Sequence, residues 1–504
     1  MSAKIYAPNV HLFAFHLKDN NSPNLLWDKC NNLLSQKFGI TKPLEIEEKP
    51  GYRVDLLKDK TDDDVGFHFQ SQVFLNGNSL SIAGVATPLR IHDTYVLSLN
   101  LRRPEFDDNQ KKTNPLNPDF LALLNPSGCL MPREIGSSLG QTILLTIWYT
   151  SDKQWLPWKS PQNRQKLREI ADNCLRNFIP NQYSCPEFYR EGELFGSPIF
   201  EYGVPTQAKD YGHILIWIFC AADTSDKFIE HYSSFVNLFC YLNKVVAAFK
   251  RSRQVSNVIH QNYQDLEPYI NKIFQGLPVN QTLTKSELNQ FKEYLRDLPQ
   301  KYLSYSQFIG ELDRYRLNIE TNAQNYKREI NDIQSQLPGE NLSFISNFID
   351  RDYHLFIEQI QSDLAYFQHG IGLLEKAMTA IQGRVDIEQA ESDRAAESKA
   401  QKRQERLELF IAFASTGLAV SGISSQVANE PAKTILTQLF PGQFQSSPQP
   451  ESPNYLFTSF SPVIFHLLVG IIFAIPLGGI VWAIQIDLIG KIYRLIKKIG
   501  NRQP

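Results

Sequence analysis

No two cysteines in this chain are spaced C-x-x-C, and none of the six (Cys30, Cys129, Cys174, Cys185, Cys220, Cys240) stands near a histidine at zinc-finger spacing. That argues against a structural zinc site and reads the thiols as reduced and mostly buried. Two catalytic signatures are missing too: there is no G-x-x-x-x-G-K and no H-E-x-x-H. Charge bias is also absent. With 51 Lys and Arg against 53 Asp and Glu the net charge is −2. No basic field invites nucleic acid, so no nucleic-acid partner is expected. Met1 to Tyr6 has no basic segment leading into an apolar one. No cleavable signal peptide is therefore expected, and the first domain is expected in the cytosol.

What the chain does have is 504 residues, 42% of them hydrophobic and 21% charged, enough for two or three folded domains. Residues 1–222 read as a cytosolic α+β domain. Val10 to Leu17 is a short apolar strand whose His11 and His16 fall on opposite faces, so they cannot share one metal. Gly66 to Leu75 and Ser79 to Leu89 flank Asn76-Gly77, which supplies the positive φ angles of a tight hairpin. In Thr94 to Leu101, Tyr95, Leu97, Leu99 and Leu101 alternate with Val96, Ser98 and Asn100, predicting a strand with one buried face. Gln141 to Thr150 and His213 to Cys220 are further strands. Ser160-Pro161 caps and opens a helix with Leu167, Ile170, Ala171, Cys174, Leu175 and Phe178 on its apolar face. A largely antiparallel sheet with interspersed helices follows. The Gly-rich Gly136 to Gly140 precedes a strand, whereas a phosphate loop follows a strand and opens a helix.

Residues 223–340 change to the helical period. Phe228, Tyr232, Phe235, Phe239, Leu242, Val246 and Phe249 recur at three and four, with Thr224 or Ser225 as cap and a bend near Pro268. Arg253 and His260 have the R-x₆-H spacing of HEPN-type ribonucleases, although that separation brings any two residues together on one helical face. Thr284-Lys-Ser-Glu287 is a capping box, and Pro299 is expected to end that helix. Leu312, Ile319, Ala323, Tyr326, Ile330, Ile333 and Leu337 form another stripe, stopped by Pro338-Gly339. Asn341 caps the next helix.

Residues 341–406 read as one long stalk helix. Ile357, Ile360, Leu364, Phe367, Ile371, Leu374, Met378, Ile381 and Val385 hold a 3.5-residue period, the mark of a coiled-coil seam or of a bundle core. The register then passes through Glu388, Ser392, Ala395, Lys399, Lys402 and Arg406, with no apolar stripe. Two membrane helices are expected next, at 407–428 and 463–486. They enclose an extracytosolic loop at 429–462 and leave a basic cytosolic tail at 487–504. Lys399, Lys402, Arg403 and Arg406 precede the first span, and Lys491, Arg494, Lys497, Lys498 and Arg502 follow the second. The loop carries only Lys433. Positive charge on that side places both termini in the cytosol of a multi-pass protein in the cell (inner or plasma) membrane, with the bilayer as partner. The first span is rich in small and hydroxyl residues, which suit close packing or a pore lining.

This order of elements resembles the CorA-type magnesium transporters: an α+β domain, an antiparallel helical hairpin, a stalk helix running into a first span, and a basic end after the second. The resemblance is architectural. It implies self-association into a ring, Mg²⁺ or another divalent cation as cargo, Ser415, Gly422 and Gln426 as pore-lining candidates, and a cytosolic mouth of Lys399, Lys402, Arg406, Lys491, Arg494, Lys497 and Lys498. The family's Gly-Met-Asn is absent, with Gly422-Ile-Ser-Ser-Gln426 near its place. The expected function is therefore a homo-oligomeric, two-pass protein, not an enzyme, whose sensing domain is coupled through the stalk to a cation channel or transporter. The alternatives are a non-conducting membrane-tethered sensor or scaffold and, more remotely, a ribonuclease using Arg253 and His260.

Overall fold

The computed structural model describes residues 4–18, 22, 24–58, 66–75, 77–107, 109–149, 158–204, 206, 212–276 and 283–426, with 434–435, 438, 464–466, 468–472 and 475–476 beyond them. The chain divides into two compact units, one of Met1–Val279 with Lys292–Ala380, the other of Asn280–Phe291 with Ile381–Pro504.

In the first unit the strands are β1 (Tyr6–Leu17), β2 (Arg53–Asp55), β3 (Phe67–Leu75), β4 (Asn78–Ile91), β5 (Thr94–Arg102), β6 (Gly140–Trp148), β7 (Phe188–Leu194), β8 (Ser197–Tyr202) and β9 (His213–Phe219). Among the described residues they form one sheet in the order β2-β4-β5-β1-β6-β9-β8-β7, with β3 added on β4. Only β6 and β9 run parallel. The Asn-Gly hairpin joins β3 to β4: Leu75 pairs with Asn78, and Gly77 has φ 80°.

One face of the sheet carries Val10, Leu12, Leu97, Leu99, Leu101, Ile143, Leu145, Ile214 and Ile216, and it packs on two helices. These are α1 (Leu25–Phe38), which contributes Trp27, Cys30 and Leu34, and α4 (Pro161–Phe178), which contributes the apolar stripe expected of it. Ser160 caps α4, its Oγ accepting from Asn163 N at 3.3 Å. Single-turn helices α2 (Leu121–Leu124) and α3 (Pro132–Ile135) lie in the β5–β6 connection.

The opposite face was expected to meet water at Val96, Ser98 and Asn100. Instead β5 is buried at every position from Thr94 to Leu101. Two later helices cover it: α5 (Thr224–Glu230) and, after a break at His231, α6 (Tyr232–Gln275). Phe13 of β1 packs on Tyr232 at 5.6 Å and on Phe239 at 5.2 Å between ring centroids. Trp217 of β9 packs on Phe228 at 5.4 Å.

Long helices follow. Helix α7 (Lys285–Gln336) runs through Pro299 rather than stopping there. The proline is exposed, so the carbonyl it leaves unbonded can take water. After Gly339, at φ 94°, come α8 (Ser343–Asn347), a π-helical turn at Phe348–Tyr353 and α9 (His354–Gln426). Within the first unit α6, α7 and α9 form a bundle. Phe249 stacks on Phe356 at 4.1 Å, Tyr269 packs on Tyr294 at 5.6 Å, and Tyr305 donates to the Phe367 carbonyl at 3.0 Å. The 3.5-residue stripe is thus bundle core here: Ile357, Ile360, Leu364, Phe367 and Leu374 are buried.

In the second unit the capping box is reciprocal, with Thr284 N donating to Glu287 Oε2 (2.8 Å) and Glu287 N to Thr284 Oγ1 (3.3 Å). Glu388 is the last buried residue of the α9 seam, accepting from Leu283 N at 2.8 Å and pairing with Arg384 at 2.6 Å. From Gln389 to Glu408 every side chain of α9 is exposed.

The expected transmembrane helices are corrected. Among the described residues no helix is long and apolar enough to cross a membrane. The apolar run Leu409 to Ser424 is shorter than the ~20 residues a bilayer needs, and Ser415, Thr416, Gly417, Ser421 and Gly422 interrupt it. Val463 to Ile486 lies mostly outside the described residues, as does the loop between the two stretches. This finding overturns the multi-pass location in the cell membrane, and with it the membrane and ion-transport readings.

Candidate functional site

The polar residues on the covered sheet face lie side by side. In the register of β1, β5 and β6, His11 stands opposite Asn100, Asn9 opposite Thr146, and Ser98 opposite Phe13. A two-residue period along each strand places Asn9 and His11, and Ser98 and Asn100, on this one face. Tyr232, the first residue of α6, drops its hydroxyl onto them.

His11 is at the centre, 4% exposed. Asn100 Nδ2 donates to His11 Nδ1 at 2.9 Å and also to Asn9 Oδ1. The Tyr232 hydroxyl is 3.0 Å from Ser98 Oγ and 3.4 Å from His11 Nδ1. Thr146 Oγ1 is 3.5 Å from His11 Nε2. Because Nδ1 accepts from the Asn100 amide, the proton of the neutral ring sits on Nε2. Burial, and secondarily the charge of Arg102, pushes the His11 pKa down to about 3, so the ring stays neutral. Burial raises the pKa of Tyr232, and the Ser98 bond works the other way.

These side chains floor a cavity of about 580 Å³. Its apolar wall includes Trp148, Phe219 and Phe228, and Arg102, Arg103 and Glu105 stand at its polar end. At the lip, the β1–β6 register shifts between Tyr6 and Asn9, and Ala7 sits at φ 43°. A non-glycine residue in that region costs about 1–2 kcal/mol, and such strain gathers at binding sites, where bulges re-aim a strand.

A second polar line crosses the same face. Asn243 of α6 donates to Thr142 Oγ1 at 2.9 Å, and Thr142 Oγ1 is 3.1 Å from His213 Nδ1. His213 Nε2 is 3.0 Å from Glu201 Oε1, and Glu201 also pairs with Arg190. Burial works against the Glu201 charge, but His213 and Arg190 outweigh it and hold the carboxyl below its usual range. The Arg190 guanidinium lies over the Phe344 ring at 4.7 Å, so the line ends on α8.

The residues singled out from sequence are scattered. Arg253 Nη1 pairs with Asp363 Oδ2 at 2.6 Å, and Ser256 donates to the same oxygen at 2.7 Å. His260 is exposed and lies 3.0 Å from Gln264 Nε2. Lys399, Lys402 and Arg406 are exposed on α9. Ser415 bonds back to the Ile411 carbonyl at 2.6 Å. Gly422 and Gln426 lie in α9, the Gln426 side chain being outside what is described, and Lys491, Arg494, Lys497 and Lys498 lie wholly outside the described residues. Among the described residues no group of three His, Cys, Asp or Glu side chains is placed to hold a metal. Five cysteines are buried and Cys185 is exposed.

The sequence reading passed over the cavity residues. A signal was present: polar side chains at alternate positions, Asn9 and His11, then Ser98 and Asn100, in strands otherwise apolar. No protein-family model matches the chain, no curated protein matches it, and no solved structure matches its fold.

Proposed function

We propose that this protein is a ligand-responsive binding protein, not an enzyme: a small molecule enters the sheet cavity, and α6 carries the response into the helical bundle. The observation that carries this reading is the cavity itself. It is apolar on one wall and polar on its floor, and its size falls within the ~300–1,000 Å³ of small-molecule sites. Its floor is shared between the sheet and the first residue of α6, so occupancy and helix position are linked through Tyr232. A catalytic reading fits less well. A His11 pKa near 3 leaves a weak base at neutral pH, with the Nδ1 lone pair already engaged by Asn100.

The test is a thermal-denaturation screen of the full chain against small metabolites, with Val85→Trp as a variant that fills the cavity from its half-buried wall. Compounds that raise the melting temperature of the native chain and not of Val85→Trp support the reading. Their binding should also slow amide exchange in the first turns of α6. Failure to find any compound that separates the two proteins rejects it.

A further inference from the structure

Resting on that reading, we infer that the cavity takes a nucleoside phosphate, with its base against the floor and its phosphate at Arg102 and Arg103. Three features specify this chemistry. The first is an acceptor waiting for a donor. Asn100 is 8% exposed, its amide nitrogen is committed to Asn9 and His11, and its Oδ1 has no partner. Leaving a buried amide oxygen unpaired is costly, and an exocyclic amine or ring N–H of a base would satisfy it.

The second feature is a cation waiting for an anion. Arg102 makes no ion pair with any described residue, and Arg103 spends Nη1 on the Ser81 carbonyl at 2.8 Å while its buried Nε has no partner. Among the described residues Glu105 is the one acid lining the cavity, against these two arginines. Asp107 lies within electrostatic reach of Arg103. With His11 neutral, the polar end keeps a positive excess that suits a phosphate.

The third feature is the mixture on the floor. Asn9, Ser98, Thr146 and Tyr232 offer donors and acceptors in alternation beside Asn100. A phenyl ring would leave Asn100 Oδ1 unpaired, whereas the edge of a nucleobase presents donors as well as acceptors. Phe228 and Trp148 supply the apolar surface that the faces of a base need. The spacing agrees. Asn100 and Arg102 lie two residues apart on one face of β5, about 6.8 Å along the strand. The arginine side chain extends that separation to the scale of a nucleoside.

The experiment is calorimetric titration of the full chain with AMP, GMP, CMP and UMP, with the matching nucleosides, and with inorganic phosphate. At least one nucleotide should bind, more tightly than its nucleoside or phosphate. Arg102→Ala should weaken the nucleotide by about tenfold or more and leave the nucleoside unchanged. Arg102 is exposed, so this variant should fold as the native chain does. Asn100→Ser, which shortens the acceptor, should weaken nucleotide and nucleoside alike, and its melting curve would show whether it is folded. If no nucleotide binds while other metabolites still depend on an open cavity, the nucleotide inference fails and the binding-protein reading stands. If nothing depends on the cavity, both fail. Nucleotide binding that ignores Arg102→Ala also overturns the inference.

Discussion

Asn100 donates its amide to Nδ1 of His11 across 2.9 Å, from one strand to the next. That bond sets the tautomer of the histidine on the cavity floor. It also predicts how the fold meets acid. The ordinary pKa of 6.5 falls to about 3 in the folded chain, so below pH 6.5 the unfolded chain binds a proton that the folded one refuses. Stability due to His11 is full above pH 6.5 and drains as pH falls toward 3, by up to ~1.4 kcal/mol per pH unit. His16, whose pKa burial also lowers, adds to the same window. Urea midpoints from pH 7.5 to 5 should fall in the native chain, with a smaller slope in His11→Gln. An unchanged slope would remove His11 from the account.

Glu201 should matter more than its single charge suggests. It is 1% exposed and joins Arg190 to His213. Glu201→Leu leaves the Arg190 guanidinium facing an apolar side chain, and breaking a buried pair in this way costs about 3–5 kcal/mol. Its folded pKa is lowered, so its stabilisation is present above the ordinary carboxylate value and is lost as pH falls through the folded one. Chemical denaturation of Glu201→Leu and Glu201→Gln at pH 7 checks this, with the Gln variant losing less because its amide oxygen still accepts one of the two hydrogen bonds.

Two glycines of α9 should respond in opposite directions to alanine. A Cβ on Gly370 would come within 2.7 Å of the Tyr305 hydroxyl and 2.9 Å of its ring, and that hydroxyl is anchored on the Phe367 carbonyl. Gly370→Ala should therefore destabilise the bundle by about 1–3 kcal/mol. Gly372 has nothing within 4 Å of such a Cβ. Gly372→Ala should stabilise by up to ~1 kcal/mol through helix propensity alone. Urea melts of the two variants decide it, and equal effects would contradict the packing described.

The Arg253 and His260 pair should separate by stability. Arg253 is joined to Asp363, half-hidden between α6 and α9, so Arg253→Ala should cost about 1.5–3 kcal/mol. His260 is exposed, and His260→Ala should change stability by less than ~0.5 kcal/mol. Thermal denaturation of both variants is the check.

The strands, the hairpin, the α4 cap and the capping box at Thr284 were legible because each is specified within a few residues. The site was not, because its meaning lies elsewhere in the chain. Ser98 and Asn100 alternate with leucines whether their face meets water or lines a cavity. What decides is Tyr232, 134 residues from Ser98. Likewise the spacing of Arg253 and His260 put both on one helix face, while the partner of Arg253 lies on α9, 110 residues on. Pro299 was a local stop signal that tertiary packing on the other side of α7 overrode. The apolar stretch after Arg406 had a membrane's composition but marginal length, and there composition misled.

The position of Tyr232 has a mechanical consequence. It is the first of 44 residues in α6, and it rests on the cavity floor. At 1.5 Å per residue such a helix is about 65 Å long, so a tilt of about 5° pivoting at Tyr232 moves its far end by ~6 Å. A displacement too small to disturb the sheet is thereby enlarged to roughly one helical turn at Gln275, the gain of a long pointer on a short bearing.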